Sequence, residues 1–152
     1  MNAKPSSFFS ALFDEESQKI LRFPLALLVG IFASVTGSLG WLAVSTVSSF
    51  QIGYMAVAVG ILVGWSMRFV AGEGSRKLAF SSATLSFFGC IGGNLLSACY
   101  YVAKAHELPF LDLFVTLDPG YSWYLLTQTF DIMDLIFYGI GIVQGYQMCV
   151  KK

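Results

Sequence analysis

The chain has 152 residues, of which 56% are hydrophobic and only 12% are charged, and its formal net charge is zero. Soluble domains average about 25% charged residues, so this chain has too few polar side chains to cover a water-soluble globule. The neutral balance leaves no excess of basic charge for binding nucleic acid. Length and composition therefore predict one domain embedded in a lipid bilayer, without a separate soluble domain.

The N-terminal residues 1–23 are predicted to form a cytoplasmic amphipathic segment. Its apolar side chains recur at roughly helical spacing: Phe9, Leu12, Phe13 and Ile20. This pattern favours a helix on the inner membrane surface, and a helix that docks on a partner protein is the alternative. The acidic cluster at 14–16 and the lack of a small-residue cleavage site argue against a cleaved signal peptide.

Uncharged stretches predict a membrane domain over residues 24–152. Four spans are expected, at about 24–45, 52–70, 79–102 and 132–149. The first two share one uncharged run that is too long for a single crossing, and polar residues interrupt it at 45–51. The predicted fold class is therefore all-α, a polytopic four-helix transmembrane bundle.

The segment 103–131 is predicted to be external and interfacial. A short surface helix is expected after Pro109, because the apolar stretch there is too short to cross a bilayer. Tyr121, Trp123 and Tyr124 are typical of an aromatic belt at the outer headgroups. The first part of the last apolar segment is therefore expected to lie outside the hydrocarbon core.

Basic residues divide unequally between the two sides of the predicted spans. Eight of the nine fall on one side: Lys4, Lys19, Arg22, Arg68, Arg76, Lys77, Lys151 and Lys152. Only Lys104 falls on the other side. Because basic residues near span ends are retained in the cytoplasm, this asymmetry predicts cytoplasmic N- and C-termini. The chain is therefore predicted to be integral to its membrane, with both termini on the cytoplasmic side.

Small residues recur every four positions in the predicted spans. The second span contains Ala56, Gly60 and Gly64; the third contains Gly89 and Gly93; the fourth contains Gly141 and Gly145. Ser34 and Ser38 form a weaker version in the first span. Such stripes let helix backbones approach closely, which predicts helix packing either within one bundle or between subunits.

Three polar residues are candidates for contact with an ion or ligand. Asp131 and Asp134 share one face of the last helix, near its outer end. Helix capping or solvation there is the first interpretation, and an entry site for a cation or proton is the alternative. Asn94 is expected deep in the third span, where an interhelical hydrogen bond is favoured over contact with a ligand.

Two residues at the inner end of the second span are candidates for contact with a lipid headgroup. Arg68 lies one turn after Trp65. Anchoring of the helix end by a snorkelling arginine is the first interpretation. Binding of an anionic headgroup is the alternative.

Residue patterns for metal, cofactor or catalytic chemistry are missing from the sequence. His106 is the only histidine, and the three cysteines (Cys90, Cys99 and Cys149) have no CxxC spacing. Neither a metal site nor a cofactor is therefore predicted. Because GxSxG, HExxH and paired aspartates at membrane depth are also absent, the chain is predicted not to be an enzyme.

Two stretches resemble a group of small, uncharacterised bacterial four-helix integral membrane proteins. One is the Gly53-Tyr54-Met55 entry to a glycine-laddered helix that ends in Arg68. The other is the Asp-x-x-Phe-Tyr pattern at 134–138, followed by Gly145-Tyr146. The resemblance implies the four-span topology and a bacterial origin, so the predicted location is the bacterial inner (cytoplasmic) membrane. It implies no settled activity.

Three hypotheses for function follow. The first is a non-enzymatic accessory or scaffold subunit that acts through glycine-rich helix packing, as a homo-oligomer or within a larger membrane complex. The second is an oligomeric ion channel or small-solute transporter that uses Asp131, Asp134 and Asn94. The third is a protein that binds a lipid or quinone in a groove between spans.

Overall fold

The computed structural model describes residues 15–48 and 53–150, with side chains from residue 21 onward. These residues form six helices and no strand: α1 (Glu15–Ser48), α2 (Met55–Ala71), α3 (Arg76–Ala105), α4 (Phe110–Val115), α5 (Pro119–Thr129) and α6 (Ile132–Val150). The all-α prediction is confirmed for this part of the chain. Residues 1–14, most of the predicted amphipathic segment, lie outside it.

Two helices are long and apolar enough to cross a membrane. They are the 28-residue part of α1 at Leu21–Ser48 and the 30-residue α3. A third span is counted if α5 and α6, which are bent by 102°, together make one crossing. α2 has only 17 residues. By length and composition alone, two or three helices of the described residues could cross a membrane, so the predicted count of four spans is not confirmed.

The turn between α2 and α3 is determined by two local signals. Gly72 has a φ of 75°, and its N–H donates to the Arg68 carbonyl oxygen at 3.0 Å. Glycine adopts this left-handed conformation readily and so ends α2. Ser75 then caps α3, because its hydroxyl oxygen accepts a hydrogen bond from the Leu78 N–H at 3.2 Å. α2 and α3 are therefore joined by only four residues.

The segment between α3 and α6 divides into two separate short helices. Asp118 caps α5 by accepting a hydrogen bond from the Gly120 N–H at 3.0 Å, and Pro119 occupies the first turn. α5 ends at Phe130, which has an extended backbone. α6 then starts in a new direction. The aromatic stretch around Trp123 is thus a separate helix that meets the last long helix at an elbow.

α1, α2, α3 and α6 form the bundle, and α4 and α5 pack on α3. Ser34 of α1 bonds to Leu85 of α3, and Ser38, four residues later in α1, bonds to Gly89, four residues later in α3. α1 and α3 are therefore parallel. Gly37 meets Val59 and Gly30 meets Met67, so α2 runs antiparallel to α1.

Large apolar side chains cover the outside of the bundle, while small and polar side chains fill much of its inside. Phe32, Val47 and Phe69 are each more than 70% exposed. The buried polar residues are Ser34, Ser38, Ser45, Ser82, Ser86, Asn94 and Ser97. A soluble protein rarely exposes so much contiguous apolar surface, whereas membrane bundles pack through small residues. This distribution indicates a membrane protein.

Candidate functional site

The closest helix contact lies between α2 and α6, where the backbones touch. A Cβ atom built on Gly60 would overlap the carbonyl oxygen of Gly141, and one built on Gly141 would overlap that of Ala56. One turn further, a Cβ on Gly64 would lie 2.9 Å from the Gly145 carbonyl oxygen. Only glycine leaves space for such an approach. Five of the seven predicted packing residues therefore meet in this one contact.

The other two packing glycines lie on α3 and face α1. A Cβ built on Gly89 would lie 2.8 Å from the Ser34 hydroxyl oxygen and 2.8 Å from a Val59 methyl carbon. A Cβ built on Gly93 would lie 2.9 Å from Cε3 of Trp41. The sequence left open whether the ladders pack within one bundle or between subunits. In the structure, all seven residues pack within the chain.

Buried serines join the helices by donating to backbone carbonyl oxygens. Ser34 donates to Leu85 at 2.9 Å, and Ser38 donates to Gly89 at 2.8 Å, which ties α1 to α3. Ser82 of α3 donates to the Gly145 carbonyl oxygen of α6 at 2.9 Å. Such bonds between membrane helices contribute on average about 0.6 kcal/mol each. They align the same helix faces that the glycines bring close.

An aromatic and amide cluster lies where α1, α3 and α6 meet. The Tyr138 hydroxyl donates to the Cys90 carbonyl oxygen at 3.1 Å, and the Asn94 side chain interacts with the same tyrosine. Trp41 packs edge-on against Tyr138, with ring centroids 6.2 Å apart and planes at 82°. Asn94 is only 2% exposed. The structure therefore places Asn94 in an interhelical polar contact.

The two predicted aspartates cap the start of α6. The Asp131 N–H donates to a carboxylate oxygen of Asp134 at 3.1 Å, and the Ile132 N–H donates to a carboxylate oxygen of Asp131 at 2.6 Å. These bonds satisfy N–H groups that have no partner inside the helix. Asp131 is exposed and Asp134 is partly exposed. The two carboxylates thus accept hydrogen bonds from the first residue of α6 and from the residue just before it.

Arg68 and Trp65 lie near the end of α2 but differ in their surroundings. Trp65 is 61% exposed and stacks on Phe69, with ring centroids 5.8 Å apart. Nη1 of Arg68 is buried and has no hydrogen-bond partner among the described residues. Contact of this pair with a lipid headgroup stays a prediction.

The remaining reactive residues do not converge on one place. Cys90, Cys99 and Cys149 are buried free thiols. Across residues 15–48 and 53–150, no three His, Cys, Asp or Glu side chains lie close enough to share a metal ion. His106 follows α3 as its C-terminal cap and is exposed.

Two apolar cavities open on the sides of the bundle. One, of about 670 Å³, lies between α1, α3 and α4 and includes Ser38 and Phe110 in its lining. The other, of about 480 Å³, lies between α3, α5 and α6 and includes Trp123 and Tyr138. Asn94, Asp131 and Asp134 line neither of them.

Two parts of this arrangement were missed by reasoning from the sequence. The serines of α3 that meet α6 had a visible signal, because Ser82 and Ser86 have the four-residue spacing of the glycine ladders. Ser82 donates to the Gly145 carbonyl oxygen of α6, whereas Ser86 donates to the Ser82 carbonyl oxygen within α3. The central position of Trp41 had no such signal, because a tryptophan in an apolar run is equally compatible with a lipid-facing position.

Comparisons with known proteins leave the site to be interpreted from its own geometry. No protein-family model matches the chain, and no curated protein or solved structure is significantly similar to it.

Proposed function

We propose that this chain is a four-span inner-membrane protein with cytoplasmic termini that acts, without catalysis, as an accessory or scaffold subunit of a larger membrane assembly. The observation that carries the proposal is the backbone contact of α2 with α6 through Gly60 and Gly141. A contact of this kind holds two helices at a fixed distance, because a packed core resists continuous deformation. The result is a stiff bundle suited to a structural role.

The helix directions support four spans. Gly60 meets Gly141 and Gly64 approaches Gly145, so α2 and α6 are parallel to each other and antiparallel to α1 and α3. At 1.5 Å per residue, the 17 residues of α2 measure about 26 Å and the 19 of α6 about 29 Å, close to the ~30 Å hydrocarbon core. Both helices pack against α3, which is long enough to cross a membrane, and so they would lie at the same depth in the bilayer as α3.

The charge distribution supports the proposed orientation. An Arg22 guanidinium nitrogen lies 3.0 Å from a Cβ built on Gly72, so the start of α1 and the end of α2 lie at the same end of the bundle. Arg76 and Lys77 open α3 at that end, while Lys104 lies in the last turn of α3 at the opposite end. The basic end is the cytoplasmic end under the positive-inside rule.

This topology predicts opposite labelling of two single-cysteine variants. His106→Cys should react with a membrane-impermeant maleimide in intact spheroplasts, whereas Glu73→Cys should react only after permeabilisation. Both positions are exposed, and the three native cysteines are buried, so the background from the parent chain should be low. Equal labelling of both variants in intact spheroplasts, or the reverse pattern, would contradict the orientation.

A scaffold role accounts for the polar residues better than transport does. A solute pathway needs polar groups that face a shared cavity. Asp131 and Asp134 accept hydrogen bonds from backbone N–H groups at the start of α6, and Asn94 is buried beside Tyr138. The two side cavities are lined almost entirely by apolar side chains. Their chemistry suits apolar partners rather than ions.

Native mass spectrometry after mild extraction from the source membrane tests the subunit proposal. We expect the tagged chain to run as a stable complex with at least one different membrane protein, whereas a tagged inner-membrane protein of unrelated sequence should not recover that protein. A clean homo-oligomer that conducts ions in liposomes would support the channel alternative instead. A monomer under every mild condition would contradict both assignments.

A further inference from the structure

The outward face of α6 contains two glutamine side chains without a hydrogen-bond partner in the described residues. Gln147 is exposed and Gln144 is partly exposed. Neither amide bonds to a backbone or side-chain group within residues 15–48 and 53–150. Inside the bundle, in contrast, Ser38 and Ser82 both donate to carbonyl oxygens of a neighbouring helix. The two glutamines therefore keep their hydrogen-bonding groups available on the surface of α6.

Gln144 lies within the hydrocarbon core under the proposed topology. It comes six residues before Val150, the last residue of α6, which is about 9 Å along the helix. Helical side chains point back toward the start of their helix, and α6 starts at the outer surface, so the Gln144 amide points away from the inner headgroups. An amide in hydrocarbon without a hydrogen bond is costly, and lipid tails offer no partner. Another protein helix can supply one.

The exposed residues of α6 have the spacing of a coiled-coil seam. From Met133 onward they recur at alternating intervals of three and four residues, the a and d positions of a heptad. These positions are Met133, Ile136, Ile140, Val143, Gln147 and Val150. All six side chains are exposed. Gln147 thus occupies an a position, and Gln144 occupies the e position beside the seam. We call this surface, the seam with Gln144, the glutamine face.

The rest of the chain leaves the glutamine face clear. On the opposite side of α6, a Cβ built on Gly141 would overlap the backbone of Ala56 in α2. A Cβ built on Gly139, which flanks the seam, would meet no atom within 4 Å. A helix from another molecule can therefore approach the seam, and the heptad spacing fits two parallel helices that cross at about 20°.

The chemistry of the amide favours a second copy of the same face. A glutamine side chain has two N–H donors and one carbonyl acceptor, so one glutamine can bond to another. Copies related by a two-fold axis along the membrane normal place each residue near its counterpart at the same depth. Gln144 and Gln147 then meet the same residues of the partner copy, and a polar residue at an a position fixes the register. A different protein would need matching polar groups at both depths.

We propose that the glutamine face of α6 binds the same face of a second copy of this chain, with hydrogen bonds between the amides of Gln144 and Gln147 across the interface. This inference rests on the proposed four-span topology, because α6 must cross the membrane in the same direction in both copies. The backbone contact of Gly60 with Gly141 holds α6 firmly in each bundle. The accessory subunit therefore enters a larger assembly as a pair.

Cysteine cross-linking tests the position of the interface. Leu135 and Ile136 are adjacent on α6 and are 60% and 54% exposed, but only Ile136 lies in the seam. The purified chain is reconstituted in liposomes at a low ratio of protein to lipid and oxidised with copper-phenanthroline. Ile136→Cys and Val143→Cys should form disulfide-linked dimers, whereas Leu135→Cys, the matched control, should not. Because the three native cysteines are buried, the parent chain should give little background.

Energy transfer between donor-labelled and acceptor-labelled copies in the same liposomes measures the contribution of the amides. Methionine resembles glutamine in length but has no N–H donor and only a weak acceptor. Gln144→Met should weaken association several-fold, and the double variant with Gln147→Met should weaken it by about tenfold or more. Gln128→Met is the control and should have no effect, because Gln128 is exposed on α5, away from the glutamine face. Circular dichroism checks that each variant is folded.

The outcomes separate this inference from the proposed function. Equal cross-linking of Ile136→Cys and Leu135→Cys, or no cross-linking of either, would overturn the proposal. Unchanged energy transfer in the folded double variant would do the same, and so would cross-linking of Ile136→Cys in the source membrane to a different protein alone. None of these results alters the maleimide test of topology or the native mass spectrometry of the accessory role, so each failure points to one proposal.

Discussion

Gly141→Leu should unfold the bundle or lower its melting temperature sharply, whereas Gly139→Leu should leave it nearly unchanged. A side chain at Gly141 would overlap the backbone of Ala56, and neither helix can rotate a backbone carbonyl out of the way. Overpacking a tight core costs about 1–3 kcal/mol and occasionally more. Because both neighbours are backbone, we expect at least about 3 kcal/mol, which is a fall of roughly 6–12 °C for a chain of this size.

Gly139→Leu is a matched control for Gly141→Leu. Both replace an α6 glycine with the same residue, two positions apart, so the gain in helix propensity is equal. Melting followed by circular dichroism in a mild detergent measures the difference. Gly60→Leu should reproduce the loss from the α2 side, because its new Cβ would overlap Gly141. Equal melting temperatures for Gly141→Leu and Gly139→Leu would show that α2 and α6 do not touch at this point.

This contact also changes how assembly experiments must be designed. If the glycine stripes packed between subunits, leucine at Gly60 or Gly93 would block assembly. Because these glycines pack within the chain, such variants should lose the bundle before any interface between subunits is tested. Loss of a complex in a Gly60→Leu variant would therefore not identify a partner surface. Substitutions on exposed faces, such as the one containing Phe32, leave the core intact and are better probes.

The sequence predicts the helices well because apolar runs and their polar breaks depend on local chemistry. The last segment is an example: a straight helix over all of it would exceed the membrane thickness, so only residues 132–149 were expected to span. The structure breaks the helix at Phe130 and starts α6 at Ile132. The number of spans is harder to predict, because α2 is only as long as the shortest spanning helices. Its role depends on the neighbours along which it packs, and periodicity does not contain that information.

In the candidate site, too, the sequence predicted the type of contact but not which residues make it. The four-residue spacing identified glycines that approach another backbone, but spacing alone could not separate Gly141, which touches Ala56, from Gly139, which faces open space. The aspartates at 131 and 134 were placed at the outer end of the last helix by simple length. Helix capping or solvation was the first interpretation for this pair, and the structure adds which N–H groups donate: that of Ile132 to Asp131 and that of Asp131 to Asp134.

Trp41→Ala should be among the most destabilising substitutions in the chain, whereas Trp65→Ala should have little effect. Trp41 is 2% exposed, packs on Gly93 and meets Tyr138 edge-on. Truncating a buried tryptophan to alanine costs about 3–5 kcal/mol, and the cavity between α1 and α3 cannot close without breaking the serine hydrogen bonds beside it. Trp65 is 61% exposed, so its loss should cost well under about 1 kcal/mol.

Trp41→Phe separates the contribution of packing from that of hydrogen bonding. Nε1 of Trp41 has no hydrogen-bond partner among the described residues, so removing this N–H should break no bond. Phenylalanine keeps an aromatic ring against Gly93, and we expect less than half of the loss seen with alanine. Thermal melting of all three variants in one detergent provides the test. If Trp41→Phe were as damaging as Trp41→Ala, the indole nitrogen would have a partner that maintains the bundle, and helix packing alone would not explain its stability.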